Sequence, residues 1–141
     1  MSADPAQRAS VDHVGLSVAD LDAATAFYGR AFAFAEEFAF ELGVDGIRGV
    51  MLLHPSGGRL ELFERPGSAG GPQGRTPIET IGVRGFGHVA LTAPDLDGLF
   101  DRAVGAGATV HVAPSPSPEP GVRFAFLADP EGNLVELVGR G

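Results

Sequence analysis

One stretch of this chain is written twice. "VDHVGLSVADLD", from Val11 to Asp22, returns 75 residues later as "FGHVALTAPDLD", from Phe86 to Asp97, with the histidine kept at His13 and His88. The same offset, without a gap, lays "IRGVMLLHPSGGRLEL" (Ile47 to Leu62) over "VRFAFLADPEGNLVEL" (Val122 to Leu137), matching Arg48 with Arg123, Pro55 with Pro130, Gly57 with Gly132 and Glu61 with Glu136. A repeat at fixed spacing dictates architecture, because each copy is one supersecondary unit that buries its apolar face against another. Two separate blocks agreeing on one offset divide a single domain, residues 11–141, into module one (11–64) and module two (86–139), preceded by a flexible tail (1–10). The linker between them, residues 65–85, is dense in Gly and Pro, with one short ordered piece expected near Ile78.

Within each module the elements follow from local pattern. "DHVGLSV" and "GHVALTA" alternate as strands do, and each runs into an Asp-rich cap signal and an apolar stripe of helical period, the second helix stopping at Gly107. A strand follows around Ala33 to Phe40, or Thr109 to Ala113, and then an apolar run. A Pro/Gly turn, "HPSGG" or "DPEGN", leads into a last strand that carries the glutamate. The order is βαβββ in each copy, and the fold class is α+β. "APSPSPEPG", residues 113–121, reads as an extended polyproline-like loop, either a pocket lid or a surface excursion.

Composition narrows the partners. Cysteine is absent, so disulfides and thiolate metal sites are excluded and any metal falls to His, carboxylate and water. The formal net charge is −8, every basic residue is an arginine, and no basic run provides a phosphate-backbone footprint, which argues against nucleic acid. No apolar run approaches the roughly 20 residues of a membrane span, and the first ten residues lack a signal-peptide core. These features together predict a cytoplasmic protein.

The repeated polar residues carry the chemistry. Glu61 lies between Leu60 and Leu62, and Glu136 between Val135 and Leu137. If those neighbours face an apolar layer, strand alternation turns each glutamate to the opposite face, with its histidine. Two imidazoles and two carboxylates suit a divalent ion such as Zn, Mn, Fe, Co or Ni. The alternative is a duplicated structural hydrogen bond. A carboxylate on an inward-looking strand is costly unless paired or metal-bound, which favours the metal. His54 and His111 do not share the pattern and read as solvated polar residues. Arg48 and Arg123 would lie on the glutamate faces if Leu52 paired with Glu61 and Leu127 with Glu136. They would then stand roughly 13 Å along the strand, placed to bind the tail of an anionic substrate; a salt bridge to a surface carboxylate is the alternative. Phe32, Phe34, Phe38, Phe40, Phe124 and Phe126 read mostly as core.

With those residues in view, "DHVGLSVADLDAATAFY", "GGRLELFE", "GHVALTAPDLD" and "FLADPEGNLVEL" resemble the vicinal oxygen chelate superfamily, which includes glyoxalase I, methylmalonyl-CoA epimerase, extradiol dioxygenases and the fosfomycin and bleomycin resistance proteins. The resemblance covers nearly everything from Val11 to Val138. It implies tandem βαβββ modules whose mixed sheet curls around a divalent metal, usually in a homodimer, with His13, Glu61, His88 and Glu136 as ligands. That quartet is most similar to the isomerase and lyase branch, where a metal-bound glutamate moves the proton; Glu136, mirrored by Glu61, is the expected base for chemistry next to a metal-bound carbonyl or enediolate. The epimerases carry a further acid on the strand before the first hairpin turn, where this chain has Val50. Two rival readings remain: a metal-free binding or sequestration protein of the antibiotic-resistance kind, and an Fe-dependent extradiol-type dioxygenase.

Overall fold

The structure is a computed structural model that describes residues 4–70 and 76–140. Part of the expected tail (1–3) and part of the linker (71–75) lie outside the described residues. A one-turn helix, α1 (Pro5–Arg8), buries nothing. Module one then runs β1 (Val14–Ser17), α2 (Leu21–Phe32), β2 (Ala35–Glu41), β3 (Arg48–Leu53) and β4 (Arg59–Glu64). The ordered piece of the linker is α3 (Pro77–Ile81), closed by a capping box between Thr76 and Glu79. Module two repeats the first as β5 (His88–Thr92), α4 (Leu96–Gly105), β6 (Thr109–Pro116), β7 (Val122–Ala128) and β8 (Leu134–Arg140). The curled sheet expected from the sequence is built as two mixed four-stranded sheets, ordered β1-β4-β3-β2 and β5-β8-β7-β6, in an α+β arrangement of tandem βαβββ modules.

The repeated "DLD" has a separate task for each aspartate. Asp20 and Asp95 are the N-caps of α2 and α4, each accepting a 3.0 Å hydrogen bond from the backbone N–H three residues on, which satisfies one of the donors a helix start leaves open. The second aspartate meets the repeated arginine. Arg123 forks onto Asp97 at 2.9 and 3.0 Å, and Arg48 lies 4.0 Å from Asp22. The repeat therefore preserves a helix start and its tie to the neighbouring hairpin.

Both helices pack on the same side of their sheets and against each other, and one hydrophobic cluster runs through the two modules. Phe27, Tyr28 and Phe32 of α2, Leu52 and Leu62 of sheet one, and Leu127 and Leu137 of sheet two are all fully buried there. Each such side chain contributes about 1.5–3 kcal/mol by leaving water. A polar latch joins the modules above this core. The "DPEGN" turn of module two sends Glu131 to the backbone N–H groups of Ala19 and Asp20 at 2.7 and 3.1 Å, and Asp129 to the Tyr28 hydroxyl at 2.8 Å.

Two expectations are corrected. Residues 113–116 belong to β6 and pair with β7 through Ser115 and Pro116, so the proline-rich stretch is largely a bulged edge strand, with a short turn to Val122. An edge position tolerates proline because no neighbour needs the missing N–H. The hairpin register also differs by one residue: Met51 pairs with Glu61 and Leu52 with Leu60, while Phe126 pairs with Glu136 and Leu127 with Val135. The turns set this register. Residues 54–58 and 129–133 close identically, His54 N–H onto the Gly58 carbonyl and Asp129 N–H onto that of Asn133, with Gly57 and Gly132 at φ of +104° and +90° that favour glycine.

Candidate active site

The parallel pairing of β1 with β4 places Gly15 beside Glu61, and that of β5 with β8 places Ala90 beside Glu136. Each histidine stands two residues before that partner and therefore on the same face. Leu60, Leu62, Val135 and Leu137 all point into the core at 3% exposure or less, so both glutamates are turned to the face away from the helices. The outcome is the same in both modules. His13 Nε2 lies 3.2 Å from Glu61 Oε1, and His88 Nε2 lies 3.2 Å from Glu136 Oε1.

The two pairs are not equal in their surroundings. Asp12, which has no counterpart in the second copy of the repeat, accepts a 2.8 Å hydrogen bond from His13 Nδ1, so Nε2 is the nitrogen left towards Glu61. The Asp12 contact, reinforced by the charge of Glu61, raises the His13 pKa above its usual 6.5. Arg59 approaches Asp12 at 3.8 Å while bonding Glu37 at 2.6 Å. In module two the position of Asp12 is Gly87, and His88 instead meets the ring of Phe126 edge-on at 5.0 Å between centroids. The adjacency of Asp12 to His13 was the signal available in the sequence.

Arg48 and Arg123 stand elsewhere. The one-residue difference in register turns both to the helix side, away from Glu61 and Glu136. Arg48 bonds Glu64 at 3.0 Å, and Glu64 also accepts the Leu21 N–H at 2.8 Å. The same shift puts Val50 in the core opposite Leu62, at 2% exposure, and leaves Met51 as the strand neighbour on the Glu61 face. His54 folds back on its own turn, 2.7 Å from the Ser56 hydroxyl, and His111 takes no part in either pair. A cavity of about 260 Å³ opens between the β1 and β5 edges, lined by Leu16, Tyr28, Leu60, Phe86 and Leu134 among others. It touches His88 but neither glutamate, and both carboxylates lie on the sheet faces turned from the core.

The donor set, imidazole nitrogen with carboxylate oxygen, has the chemistry of a divalent-ion site. In each pair the two donor atoms face one another, as two ligands of one ion do. Among the described residues no group of three or more His, Cys, Asp or Glu forms a metal-holding cluster, so within one chain the four side chains stand as two separate His–Glu pairs and do not converge on one point.

The family model of the Glyoxalase/Bleomycin resistance protein/Dioxygenase superfamily matches residues 10–137. The chain belongs to that superfamily. Among solved structures this glyoxalase-family chain is similar to a glyoxalase family protein from Bacillus cereus, with a TM-score of 0.77 at 22% identity over 100% of this chain and 99% of that one. It is also similar to glyoxalase I from Zea mays, with a TM-score of 0.73 at 22% identity over 92% of this chain and 44% of the maize chain. A lactoylglutathione lyase of Arabidopsis thaliana is 37% identical over 57 residues, which is 40% of this chain and 20% of that protein. The chain thus spans about one fifth of the curated relative it matches.

Proposed function

We propose that this glyoxalase-superfamily chain is a divalent-metal-dependent enzyme that promotes proton transfer next to a carbonyl or enediolate of a small metabolite, in lyase or isomerase chemistry. The observation that carries the reading is the matched His–Glu pair, 3.2 Å from nitrogen to oxygen in both modules on the face turned from the core. His13, Glu61, His88 and Glu136 are the proposed ligands. Because one chain offers two half-sites, a homodimer completes the set, with His13 and Glu61 of one protomer meeting the partner's His88 and Glu136.

A bound divalent ion supplies Lewis-acid stabilisation of the negative charge that develops on substrate oxygen. The chain's own residues do the rest. Glu136, hydrogen-bonded to His88 and about one-fifth exposed, holds a carboxylate oxygen where it can take a proton from a substrate carbon and return it to the neighbouring one. Glu61 occupies the mirrored position and serves the opposite face of the same carbon skeleton. Asp12 keeps His13 Nδ1 occupied, so its Nε2 stays directed at the site.

Elemental mass spectrometry on chelator-free protein tests the reading, beside the His13→Ala/His88→Ala double variant. Stoichiometric divalent metal, lost in the variant, is expected. Protein that remains metal-free after reconstitution would overturn it. Glu136→Gln should retain metal better than the double variant while losing solvent-proton exchange into carbonyl substrates.

A further inference from the structure

One phenylalanine has no place in the core. Phe86, just before β5, is fully exposed, whereas Phe27 and Phe32 are buried. Local structure holds it there. Gly85 before it takes a φ of +126°, which favours glycine, and a Cβ on Gly87 after it would stand 3.0 Å from the Thr80 methyl. Thr80 is the buried residue of α3, so the short segment that presents Phe86 is packed against that helix. The same helix turns Ile78 and Ile81, three residues apart, to solvent at 78% exposure each. Val11, which the 75-residue offset lays over Phe86, is exposed as well.

Beside this ring lies a space that suits another ring. Phe86 stands at the margin of the cavity of about 260 Å³ between the β1 and β5 edges, whose walls include Val14, Leu16, Leu60 and Leu134. A cavity of about 150 Å³ already holds a benzene ring. Knob and cavity thus belong to one patch, and a patch that carries both is complementary to its own copy: under a two-fold axis each protomer gives a ring and receives one. Charge favours the same occupant. A formal net charge of −8 sets two copies against each other, but residues 76–90 hold one acid, Glu79, and one arginine, Arg84, so this patch adds no net charge to the repulsion. Two exchanged phenylalanines, at about 150–250 Å² each, supply roughly 300–500 Å² of the about 1,600 Å² that a stable interface buries, with Ile78, Ile81 and Val11 around them.

We infer that Phe86 is the docking knob of a two-fold homodimer, its ring seated in the partner's cavity between β1 and β5. The inference rests on the homodimer proposed above and names the surface that builds it. Phe86 is two residues, about 7 Å of extended chain, from His88, and the receiving cavity is walled by Val14, next to His13. Seating the ring therefore brings the partner's His88 to the strand that follows His13, and the two His–Glu pairs of different protomers share one seam.

Sedimentation velocity on the full chain tests it. The wild-type protein should run at the mass of two chains, Phe86→Ala should raise the dimer dissociation constant about tenfold or more, and Phe86→Asp should run as one chain. Phe86 supports no core, so the far-UV circular dichroism of both variants should be unchanged. Val14→Trp, which fills the cavity from its own chain, should weaken pairing too although it adds apolar surface, while Val110→Asp, exposed on β6, should leave the mass unchanged. A dimer that persists in Phe86→Asp overturns the inference and leaves the metal-site reading with a dimer built on another face. A dimer that persists in Val14→Trp overturns the seating of the ring in the cavity. Wild-type protein that stays a single chain at every concentration, with metal or without, overturns the inference and the shared site together. Pairing lost in Phe86→Asp, in protein that takes up no metal, supports the inference and sinks the metal-site reading alone.

Discussion

The Tyr28 hydroxyl donates a 2.8 Å hydrogen bond to Asp129 across 101 residues of sequence, and both side chains are buried, at 1% and 2% exposure. Asp129 also accepts from the Glu131 and Asn133 backbone N–H groups and the Asn133 side chain, each at 2.9 Å. One carboxylate thus shapes a hairpin turn in module two and receives the helix of module one. Burial and the neighbouring Asp129 charge push the Tyr28 pKa well above its usual 10.0.

Tyr28→Phe removes one of four donors to Asp129 and should lower unfolding free energy by about 1–2 kcal/mol in urea denaturation. Asp129→Ala removes the acceptor from all of them, leaving Tyr28 and the turn unsatisfied, and should cost about 3 kcal/mol or more. Equal costs would show that the inter-module bond, and not the turn, is what Asp129 supports.

Acid should weaken the helix-to-hairpin ties. The Leu21 N–H and then Arg48 hold the Glu64 carboxyl below its ordinary 4.5, and Arg123 holds Asp97 below its ordinary 3.8. A carboxylate whose folded pKa is depressed stabilises fully above the unfolded value and loses that stabilisation as pH falls through the folded one. The urea midpoint should therefore fall between about pH 5 and pH 3, and Glu64→Gln should flatten part of that fall.

His13 should titrate above its ordinary 6.5 by NMR, and Asp12→Asn should move it down, since the Asp12 hydrogen bond is the main cause of the rise. The linkage sign is opposite to that of the carboxylates. The stabilisation from protonated His13 is complete below the unfolded pKa and disappears as pH rises through the higher folded one. An unchanged His13 titration in Asp12→Asn would contradict the role given to that hydrogen bond.

Gly49→Ala should displace the Phe40 ring and cost about 1–3 kcal/mol by overpacking, read as a lowered Tm. Gly15→Ala, on the same face with open space where a side chain would go, should be far milder.

The sequence carried the modules and the His–Glu pairs because both depend on properties that survive duplication. A period-two alternation assigns faces, and an offset repeated in two blocks assigns equivalence. What escaped it were relations that only register decides. A slip of one residue between β3 and β4 moved Arg48 from the Glu61 face to the helix side and exchanged Leu52 for Met51. Asp129 escaped for a different reason: its partner at the same offset is His54, so the repeat offered no duplicate of the latch. The prolines of β6 read as loop because local propensity cannot see that a strand has a neighbour on only one side.

Those prolines also bear on how chains meet. Pro114 and Pro116 withhold backbone donors along the outer strand of sheet two, and Glu36, Glu37 and Glu41 line the outer strand of sheet one with negative charge. Both outer rims are thereby blunted against recruiting a further strand. Growth of either sheet by strand addition is left to the inner rims, β1 and β5, so self-association through backbone pairing has one direction open to it, next to the histidines.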